Sequence, residues 1–373
     1  MSRTLYRIPV TTASHGSAAG YEILVAPSVW GSLPSVIERC CLAHRYAVIT
    51  DHHVAELYGS RLLRALHSAG HRADIFVFPA GEEQKTVRTW EAISDAMLEA
   101  GMGRDTAVVA LGGGVAGDIA GFVAATHMRG VPVVQVPTTL LAMIDASVGG
   151  KTGVNAARGK NLLGAFHPPR AVIVDPEVLR TLPVEHLRRG LAEAVKHGAI
   201  ADAEHLADIE ATADALLLAD PEALGRVIVR SVEIKAGFVG RDERENGPRK
   251  ALNFGHTIGH ALESLSGYRL MHGEAVAMGM VAEARIGEQC GVTEPGTAQR
   301  LRGVLCGLGL PTAIPPEVSV SAVLEHTRSD KKARNGRVEY TLIRRIGVVN
   351  EAGERWAHPV ADETVRAALC TTQ

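Results

Sequence analysis

Thr106-Ala-Val-Val-Ala-Leu-Gly-Gly-Gly-Val-Ala-Gly-Asp118 joins an apolar run to three glycines and then to a helical pattern. Such a run of β-branched and apolar residues is typical of a buried strand. Glycines at a strand-to-helix turn let the backbone approach a pyrophosphate, and the N–H groups at the helix N-terminus then face the anion. The turn fits Gly-x-Gly-x-x-Gly, although a glycine-rich turn can also serve tight packing alone. We therefore predict a nucleotide-binding strand, turn and helix at residues 106–118.

Four more apolar runs of strand length lie on either side of this turn. Helical segments such as residues 86–100 separate the earlier ones, and this alternation is typical of βαβ units with a parallel sheet. Tight turns or polar residues bound each run. The additional predicted strands are residues 45–51, 74–78, 131–136 and 171–175.

The pattern changes after Thr181-Leu-Pro183, where helical periodicity becomes dominant. The chain therefore predicts an α/β N-terminal domain with a Rossmann-like, mostly parallel sheet (residues 1–181), followed by a mainly α-helical C-terminal domain (residues 182–373). A late run at residues 336–347 predicts a strand or hairpin. The predicted helices of the second domain are residues 185–200, 203–218, 221–239, 250–266, 273–289 and 297–308.

Composition narrows the class of protein. Hydrophobic residues make up 46% of the 373 residues, enough to bury two cores. The formal charge of −2 provides no overall basic field for a nucleic acid or an anionic membrane, so any anion site must be local. The five cysteines form no Cys-x-x-Cys pair, the N-terminus lacks a signal-peptide pattern, and no run resembles a membrane span. We expect a cytoplasmic protein without nucleic-acid or membrane partners.

Asn253, His256 and His260 lie at i, i+3 and i+7 of the predicted helix 250–266, and so share one face. Two histidines four residues apart can bind one transition metal, and His272 is a third candidate ligand. The alternative is a polar helix face with solvated histidines. Because the helix is otherwise apolar, burying imidazoles without partners would cost about 1–3 kcal/mol each. The pattern therefore favours a metal or substrate site.

A glycine-rich, charge-bearing run at residues 135–169 is predicted to form a ligand-binding loop. Its Gly150-Lys151-Thr152 resembles part of an ATP-binding P-loop, but Asp145 stands where that motif requires glycine. We therefore exclude a P-loop ATPase.

The nucleotide site lacks one usual feature, because no acidic residue stands about 20 positions beyond the glycines. Asp51, at the end of an earlier strand, could bind a ribose instead. Glu82 and Lys85 also follow a strand, although a capped helix start would explain them equally well.

Five motifs together resemble the 3-dehydroquinate synthase family of sugar phosphate cyclases. They are residues 112–118, 135–169, 191–198, 253–263 and 272–280, in collinear order. The resemblance implies that 3-deoxy-D-arabino-heptulosonate 7-phosphate is converted to 3-dehydroquinate and phosphate, a step of the shikimate pathway. It further implies NAD and a divalent metal, zinc or cobalt, as cofactors. The implied route is alcohol oxidation, phosphate elimination, carbonyl reduction, ring opening and aldol closure.

The resemblance also implies the roles of individual residues. Arg129 matches an arginine that reaches the phosphate in the neighbouring subunit's site, which implies a homodimer. Of the two neighbouring lysines Lys331 and Lys332, Lys331 is preferred as a substrate ligand. The implied metal ligands are Glu193, His256 and His272, and the implied catalytic residues are His260, Lys151, Asn253 and Lys196. The implied substrate contacts are Asp145, Lys151, Asn161, Lys196, Lys235, Arg249, Asn253, His260, Lys331 and Arg129. The implied NAD contacts are Asp51, Glu82, Lys85, Gly113, Gly114, Asp118, Thr138, Thr139, Lys160 and Thr181.

Two departures from the family pattern bear on the substrate. Many members carry a tyrosine near His127, and a Gln-Pro where this chain has Pro168-Pro169. The His-Pro-Pro form is shared with valiolone-forming cyclases, which act on sedoheptulose 7-phosphate but lose the set of Arg249, Asn253 and His260. This chain keeps that set, which favours the dehydroquinate reaction. The alternatives are an aminodehydroquinate synthase, a metal-dependent alcohol dehydrogenase, and a non-catalytic ligand-binding relative.

Overall fold

The structure is a computed structural model that describes residues 5–11, 20–157, 159–329, 338–353 and 355–371. The described residues up to Leu182 form one compact unit, and those from Pro183 onward form a second. The helices of the described residues are too short or too polar for any of them to cross a membrane.

The first unit is built on a seven-stranded sheet with the order β1-β2-β9-β6-β5-β3-β4. Among the described strands of this sheet, β1 and β2 pair in antiparallel fashion and every other neighbouring pair is parallel. The five predicted strands correspond to β3, β4, β5, β6 and β9, and the predicted α/β class is confirmed. The strands of this unit are β1 (Tyr6–Thr11), β2 (Gly20–Val25), β3 (Arg45–Asp51), β4 (Arg72–Phe78), β5 (Thr106–Gly112), β6 (Val133–Pro137), β7 (Lys151–Ala156), β8 (Gly159–Phe166) and β9 (Ala171–Val174).

Helices cover this sheet and bury its central strands. All seven residues of β5 are buried, which explains the unbroken apolar run in the sequence. Val108 and Ala110 of β5 share a core with Ile119 and Val123 of the following helix, α5. The helices of the unit are α1 (Leu33–Cys40), α2 (His52–Val54), α3 (Ser60–Ser68), α4 (Val87–Glu99) and α5 (Gly114–Thr126).

The run at residues 135–169 is not simply a loop, because it contains the antiparallel hairpin β7–β8. Gly153 and Gly164 are partners across this hairpin, and a Cβ added to Gly153 would lie 3.0 Å from the Cα of Gly164. Glycines permit this close approach but have low β-propensity. Because these glycines interrupt the alternation of apolar and polar residues, the sequence did not predict the two strands of the hairpin.

The second unit is mainly helical, as predicted. In the part of this unit that the structure describes, four short strands form two antiparallel pairs, β10 with β13 and β11 with β12. β10 and β11 lie in the run predicted as a strand or hairpin. The helices are α6 (Val184–Ala201), α7 (Ala203–Ala211), α8 (Ala213–Leu217), α9 (Pro221–Arg241), α10 (His256–Leu265), α11 (His272–Gln289), α12 (Thr297–Gly307), α13 (Val320–Ser329) and α14 (Asp362–Cys370). The strands are β10 (Glu339–Tyr340), β11 (Ile343–Arg345), β12 (Val348–Val349) and β13 (His358–Pro359).

Two predicted helices are interrupted. The helix predicted at 203–218 breaks at Thr212, whose φ of −111° and ψ of 14° are not helical. The helix predicted at 250–266 was wrong in its first turns: Pro248–Asn253 is a short 3-10 turn, Gly255 is left-handed with φ 78°, and α10 begins only at His256. Glycine adopts this backbone conformation without steric cost. His256 and His260 therefore share a helix, whereas Asn253 lies outside it.

The core of the second unit packs α10 against α11. Ile258 and Leu262 of α10 are buried against Met278 and Ala282 of α11. Residues of α13 and α14 complete this cluster, including Val323. This packing fixes the two helices that carry the histidines of the site.

Candidate active site

The fully buried carboxylate of Glu193 is at the centre of the site in the second unit. It lies on α6, whose residues 190–200 are all buried. Lys196, one helical turn later and also buried, forms an ion pair with it. A buried carboxylate is costly unless cations surround it, so this arrangement indicates a site built around charge.

His256 and His272 present their Nε2 atoms to Glu193. These nitrogens lie 3.5 and 3.3 Å from its Oε1 atom. Nδ1 of His256 lies 3.1 Å from the carbonyl oxygen of Phe254, and Nδ1 of His272 lies 3.3 Å from Oε2 of Glu263. An acceptor at Nδ1 favours the tautomer that leaves Nε2 available as a ligand.

The pKa values of the site show how strongly its charges interact. Burial raises the pKa of the Glu193 carboxyl, but Lys196, His256 and His272 outweigh burial and hold that pKa well below its usual range. Burial lowers the pKa of His272, whereas its interactions with Glu193 and Glu263 raise that pKa to about 10. An imidazole between two carboxylates attracts positive charge, which a proton or a metal ion can supply.

The donor set fits a catalytic divalent metal. Potential ligand atoms of Glu193, His256 and His272 all lie within 4.8 Å of one another. Neither buried oxygen of Glu193 has a hydrogen bond of good geometry among the described residues. One carboxylate and two imidazoles leave a coordination position open, as catalytic zinc sites require, and suit cobalt equally.

A second group of residues could also hold an ion: His260, Glu263 and His272. It would use Glu263, whose Oε2 atom already contacts Nδ1 of His272. It would also leave the fully buried Glu193 outside the coordination sphere. The first group uses Nε2 of His272 and keeps Glu263 as the acceptor behind that ring, so we favour it.

His260 has the most exposed side chain of the three histidines, at 38%. Its ring centroid lies 5.3 Å from that of His256 and 6.0 Å from that of His272. It is thus beside the favoured ligand group rather than within it, in agreement with its predicted contact to substrate, which stays a prediction.

Two further predicted substrate ligands lie together in the segment that precedes α10. Arg249 is almost fully buried, and its Nη1 atom donates to the carbonyl oxygen of Glu243 at 2.5 Å. Asn253 donates from Nδ2 to Oε1 of Glu245 at 2.5 Å. Another predicted substrate ligand of the second unit, Lys235, lies on α9 and is buried.

The glycine turn predicted from the sequence begins α5 in the first unit. Gly112 has a φ of 146°, and a Cβ added there would lie 2.7 Å from the Cβ of Ala116. The helix begins at Gly114, and its N-cap residue, Gly113, has no side chain that could cap it. The backbone N–H groups of this turn can therefore face an anion, as expected.

Several predicted NAD contacts form a polar cluster near this helix. Buried Lys85 forms an ion pair with Asp118 of α5 and donates to Oδ1 of Asn161 at 2.5 Å. Burial lowers the pKa of Lys85, but Asp118 and Glu82 outweigh burial and raise it. The structure thus places Asn161, predicted as a substrate ligand, beside residues predicted to bind NAD.

Three of the remaining predicted NAD contacts make hydrogen bonds through their side chains within the first unit. Asp51 accepts from the N–H of Val54 at 3.1 Å, and Thr139 accepts from that of Ala142 at 3.2 Å. Thr181 lies 2.6 Å from the hydroxyl of Tyr58. Thr138 follows β6, and Lys160 lies on β8.

Besides Asn161, three predicted substrate ligands belong to the first unit. Asp145 lies in a single helical turn, Lys151 begins β7, and Arg129 has a φ of 70° in the turn after α5. Lys331 and its neighbour Lys332 lie outside the described residues.

Sequence reasoning missed two acidic residues of the second unit. Glu263 supports His272, and its position three residues after His260 on an apolar helix was the available signal. Glu245 contacts Asn253 from an irregular segment with a φ of 61°, for which the sequence offers no periodic signal.

Comparison with known proteins covers nearly the whole chain. The family models described as 3-dehydroquinate synthase N-terminal and C-terminal match residues 75–189 and 190–333. The 3-dehydroquinate synthase of Nostoc punctiforme is 45% identical over 337 residues, which are 90% of this chain and 93% of that protein.

Two solved structures are similar over their full length. 2-Deoxy-scyllo-inosose synthase, complexed with carbaglucose-6-phosphate, NAD+ and Co2+, has a TM-score of 0.88 and 25% identity, covering 99% of this chain and 100% of that one. 2-Epi-5-epi-valiolone synthase from Streptomyces hygroscopicus subsp. jinggangensis, with NAD+ and Zn2+ bound, has a TM-score of 0.87 and 30% identity, covering 96% and 98%.

Proposed function

The chain belongs to the 3-dehydroquinate synthase family, and we propose that Glu193, His256 and His272 hold the divalent metal of its reaction. That reaction converts 3-deoxy-D-arabino-heptulosonate 7-phosphate to 3-dehydroquinate and phosphate, with NAD regenerated within each cycle. The family resemblance found in the sequence motifs is confirmed. The Nostoc relative is 45% identical, against 30% for the valiolone synthase, which favours the dehydroquinate reaction.

One observation carries the metal assignment. Two imidazole Nε2 atoms converge on a fully buried carboxylate whose oxygens have no well-aligned hydrogen bond among the described residues. When bound, a divalent metal would polarise the substrate hydroxyl that NAD oxidises. Zinc and cobalt both suit these donors, and they are the metals in the two similar structures.

Residues around the ligands have separate proposed roles. Lys196 holds Glu193 in its ionised form, so that the carboxylate is ready to bind a cation. His260, partly exposed beside the ligand rings, is placed to exchange a proton with a bound sugar acid. Lys196 and Asn253 would assist as catalytic hydrogen-bond donors.

Binding the anionic groups of the substrate requires local positive charge, because the whole chain has a formal net charge of −2. Lys235 and Arg249 supply such charge from buried positions in the second unit. A planar guanidinium can bind a carboxylate or phosphate through two parallel hydrogen bonds. For Asp145, Lys151, Asn161, Arg129 and Lys331 the proposal rests on the resemblance.

We propose that the first unit binds NAD at the start of α5. Gly113 and Gly114 allow the backbone to approach the pyrophosphate, and the helix N-terminus supplies N–H donors. Lys85 and Asp118 would border the cofactor as a fixed ion pair. The proposed set is completed by Asp51, Glu82, Thr138, Thr139, Lys160 and Thr181.

Three finer properties belong to this proposal. Phosphate leaves by elimination, so the enzyme would be a carbon–oxygen lyase. The family match of Arg129 supports a homodimer. All five cysteines are free thiols, which agrees with a reducing cytoplasm.

Substrate comparison tests the function. Purified protein with zinc and catalytic NAD should release phosphate from 3-deoxy-D-arabino-heptulosonate 7-phosphate and form 3-dehydroquinate without accumulating NADH. Chelator-treated protein is the control, and it should regain activity with zinc or cobalt. Preference for sedoheptulose 7-phosphate or for an amino analogue would reassign the chain to another cyclase, and net NADH formation would indicate a dehydrogenase.

A further inference from the structure

Glu283 is a fully buried carboxylate outside the proposed ligand set. It lies on α11, and its oxygens accept three backbone N–H groups at the start of α10. Oε2 accepts from Gly255 at 2.7 Å, and Oε1 accepts from Thr257 at 3.0 Å and Ile258 at 3.2 Å. These donors lie on both sides of His256, the first residue of α10.

Close packing of the two helices brings Glu283 to this position. Gly255 is left-handed, and a Cβ added to it would lie 2.6 Å from Cγ of Met280 and 2.9 Å from the carbonyl oxygen of Val276. Val276, Met280 and Glu283 follow one another at helical spacing along α11 and so share a face. Glycine at position 255 therefore permits the contact that lets the carboxylate reach the helix end.

The chemistry of this contact favours a fixed geometry. The first N–H groups of a helix have no partners within it, and the helix N-terminus carries a partial positive charge. The N-cap residue, Gly255, has no side chain to satisfy them. A buried carboxylate with three N–H donors is a charge-assisted cap, stronger than a neutral one.

We propose that Glu283 is a positioning residue for the metal site, which it serves by holding the backbone at His256. The same contact orders Phe254, whose carbonyl oxygen is the acceptor for Nδ1 of His256. α11 would thus contribute to the site twice, through His272 at its first residue and through Glu283 further along. The inference rests on the proposed role of His256 as a ligand.

The same helix offers a matched control. Glu288, also on α11, accepts through Oε1 from the N–H of Ala298 at 2.9 Å, near the start of α12. It therefore caps a helix that carries none of the proposed ligands. Glu283→Gln and Glu288→Gln make the same chemical change on the same helix. Only Glu283→Gln should weaken metal binding.

The test measures zinc affinity of the full-length protein by chelator competition, together with the visible spectrum of the cobalt-loaded protein. We expect Glu283→Gln to weaken zinc binding by about 10- to 100-fold and to alter the cobalt spectrum. Glu288→Gln should stay within about twofold of the wild type and leave the spectrum unchanged. Circular dichroism establishes that each variant is folded.

Other variants keep the result decisive. If Glu283→Gln does not fold, Glu283→Asp takes its place, because its shorter carboxylate cannot keep all three N–H contacts. A folded Glu283 variant that binds zinc as Glu288→Gln does would overturn the inference. His256→Ala is measured in parallel: if it keeps wild-type zinc affinity, the proposed ligand set itself fails, and that failure is separate from the result for Glu283.

Discussion

The helices α5 and α10 begin in similar ways but use their N-termini differently. Each has a glycine as its N-cap residue, Gly113 for α5 and Gly255 for α10, so neither is capped by its own turn. At α10 the carboxylate of Glu283 binds the free N–H groups. At α5 we propose that the pyrophosphate of NAD does so. The same charged helix end can thus bind a cofactor or fix a ligand-bearing backbone, depending on which anion reaches it.

The largest expected effect concerns the histidines on the internally capped helix. His256→Ala should lose zinc and lower turnover by about a thousandfold or more, because a metal contributes several kcal/mol to such a reaction. His260→Ala should keep zinc but lose turnover, since its ring lies beside the favoured ligand group. Zinc content after dialysis and the rate of phosphate release measure the two effects. Equal loss of zinc in both variants would refute this division of roles.

A smaller effect is expected at the helix end left for the cofactor. A side chain at position 113 would enter the turn, where an added Cβ lies 3.1 Å from Cγ2 of Thr139. Gly113→Val should weaken NAD binding by about 10- to 100-fold, the loss of one charge-assisted hydrogen bond or more. Its zinc affinity should not change. Fluorescence titration with NADH measures the effect.

Gly31→Val is the matched control in the same unit, since an added Cβ there meets no atom of any described residue within 4 Å. It should bind NADH as the wild type does. If Gly113→Val also bound NADH as the wild type does, the N-terminus of α5 would not be the cofactor site. The two helices would then share a glycine N-cap residue but not an anion-binding role.

Local patterns predicted most of the architecture but only part of this contrast between helix ends. The strand that ends at Gly112 and the helix that begins at Gly114 follow from apolar periodicity and glycine chemistry, which are local. The break before His256 was missed because Gly255 alone interrupts a convincing helical pattern. Glu283 stands 28 residues from Gly255, and no spacing rule connects a residue of one helix to the end of another. The grouping of Glu193, His256 and His272 came from family resemblance, since contacts across helices leave no periodic signal.

A third helix end provides the smallest predicted effect. Asp202 caps α7 from its own turn and accepts from the N–H of His205. Burial lowers the pKa of His205 from 6.5 to about 4, although Asp202 opposes this. The folded protein therefore keeps this imidazole neutral, while the unfolded chain takes up a proton below pH 6.5. The contribution of the neutral His205 imidazole to the free energy of unfolding is complete above pH 6.5 and is lost as pH falls toward about 4.

Between pH 8 and pH 6, protonation of His205 in the unfolded chain should lower the free energy of unfolding by about 1 kcal/mol. His205→Gln should remove this part of the pH dependence, whatever its effect on stability at pH 8. Urea unfolding at the two pH values measures the difference. An unchanged slope in His205→Gln would show that the imidazole is not held neutral.

Anomalous diffraction at the zinc absorption edge, from crystals of the zinc-loaded protein, tests the central assignment most directly. We predict one strong anomalous peak in the second unit. The zinc ion at this peak should be bound by a carboxylate oxygen of Glu193 and by the Nε2 atoms of His256 and His272. A zinc ion bound instead by His260 and Glu263 would contradict the proposed metal site. The absence of any peak beside Glu193, His256 and His272 would also contradict it.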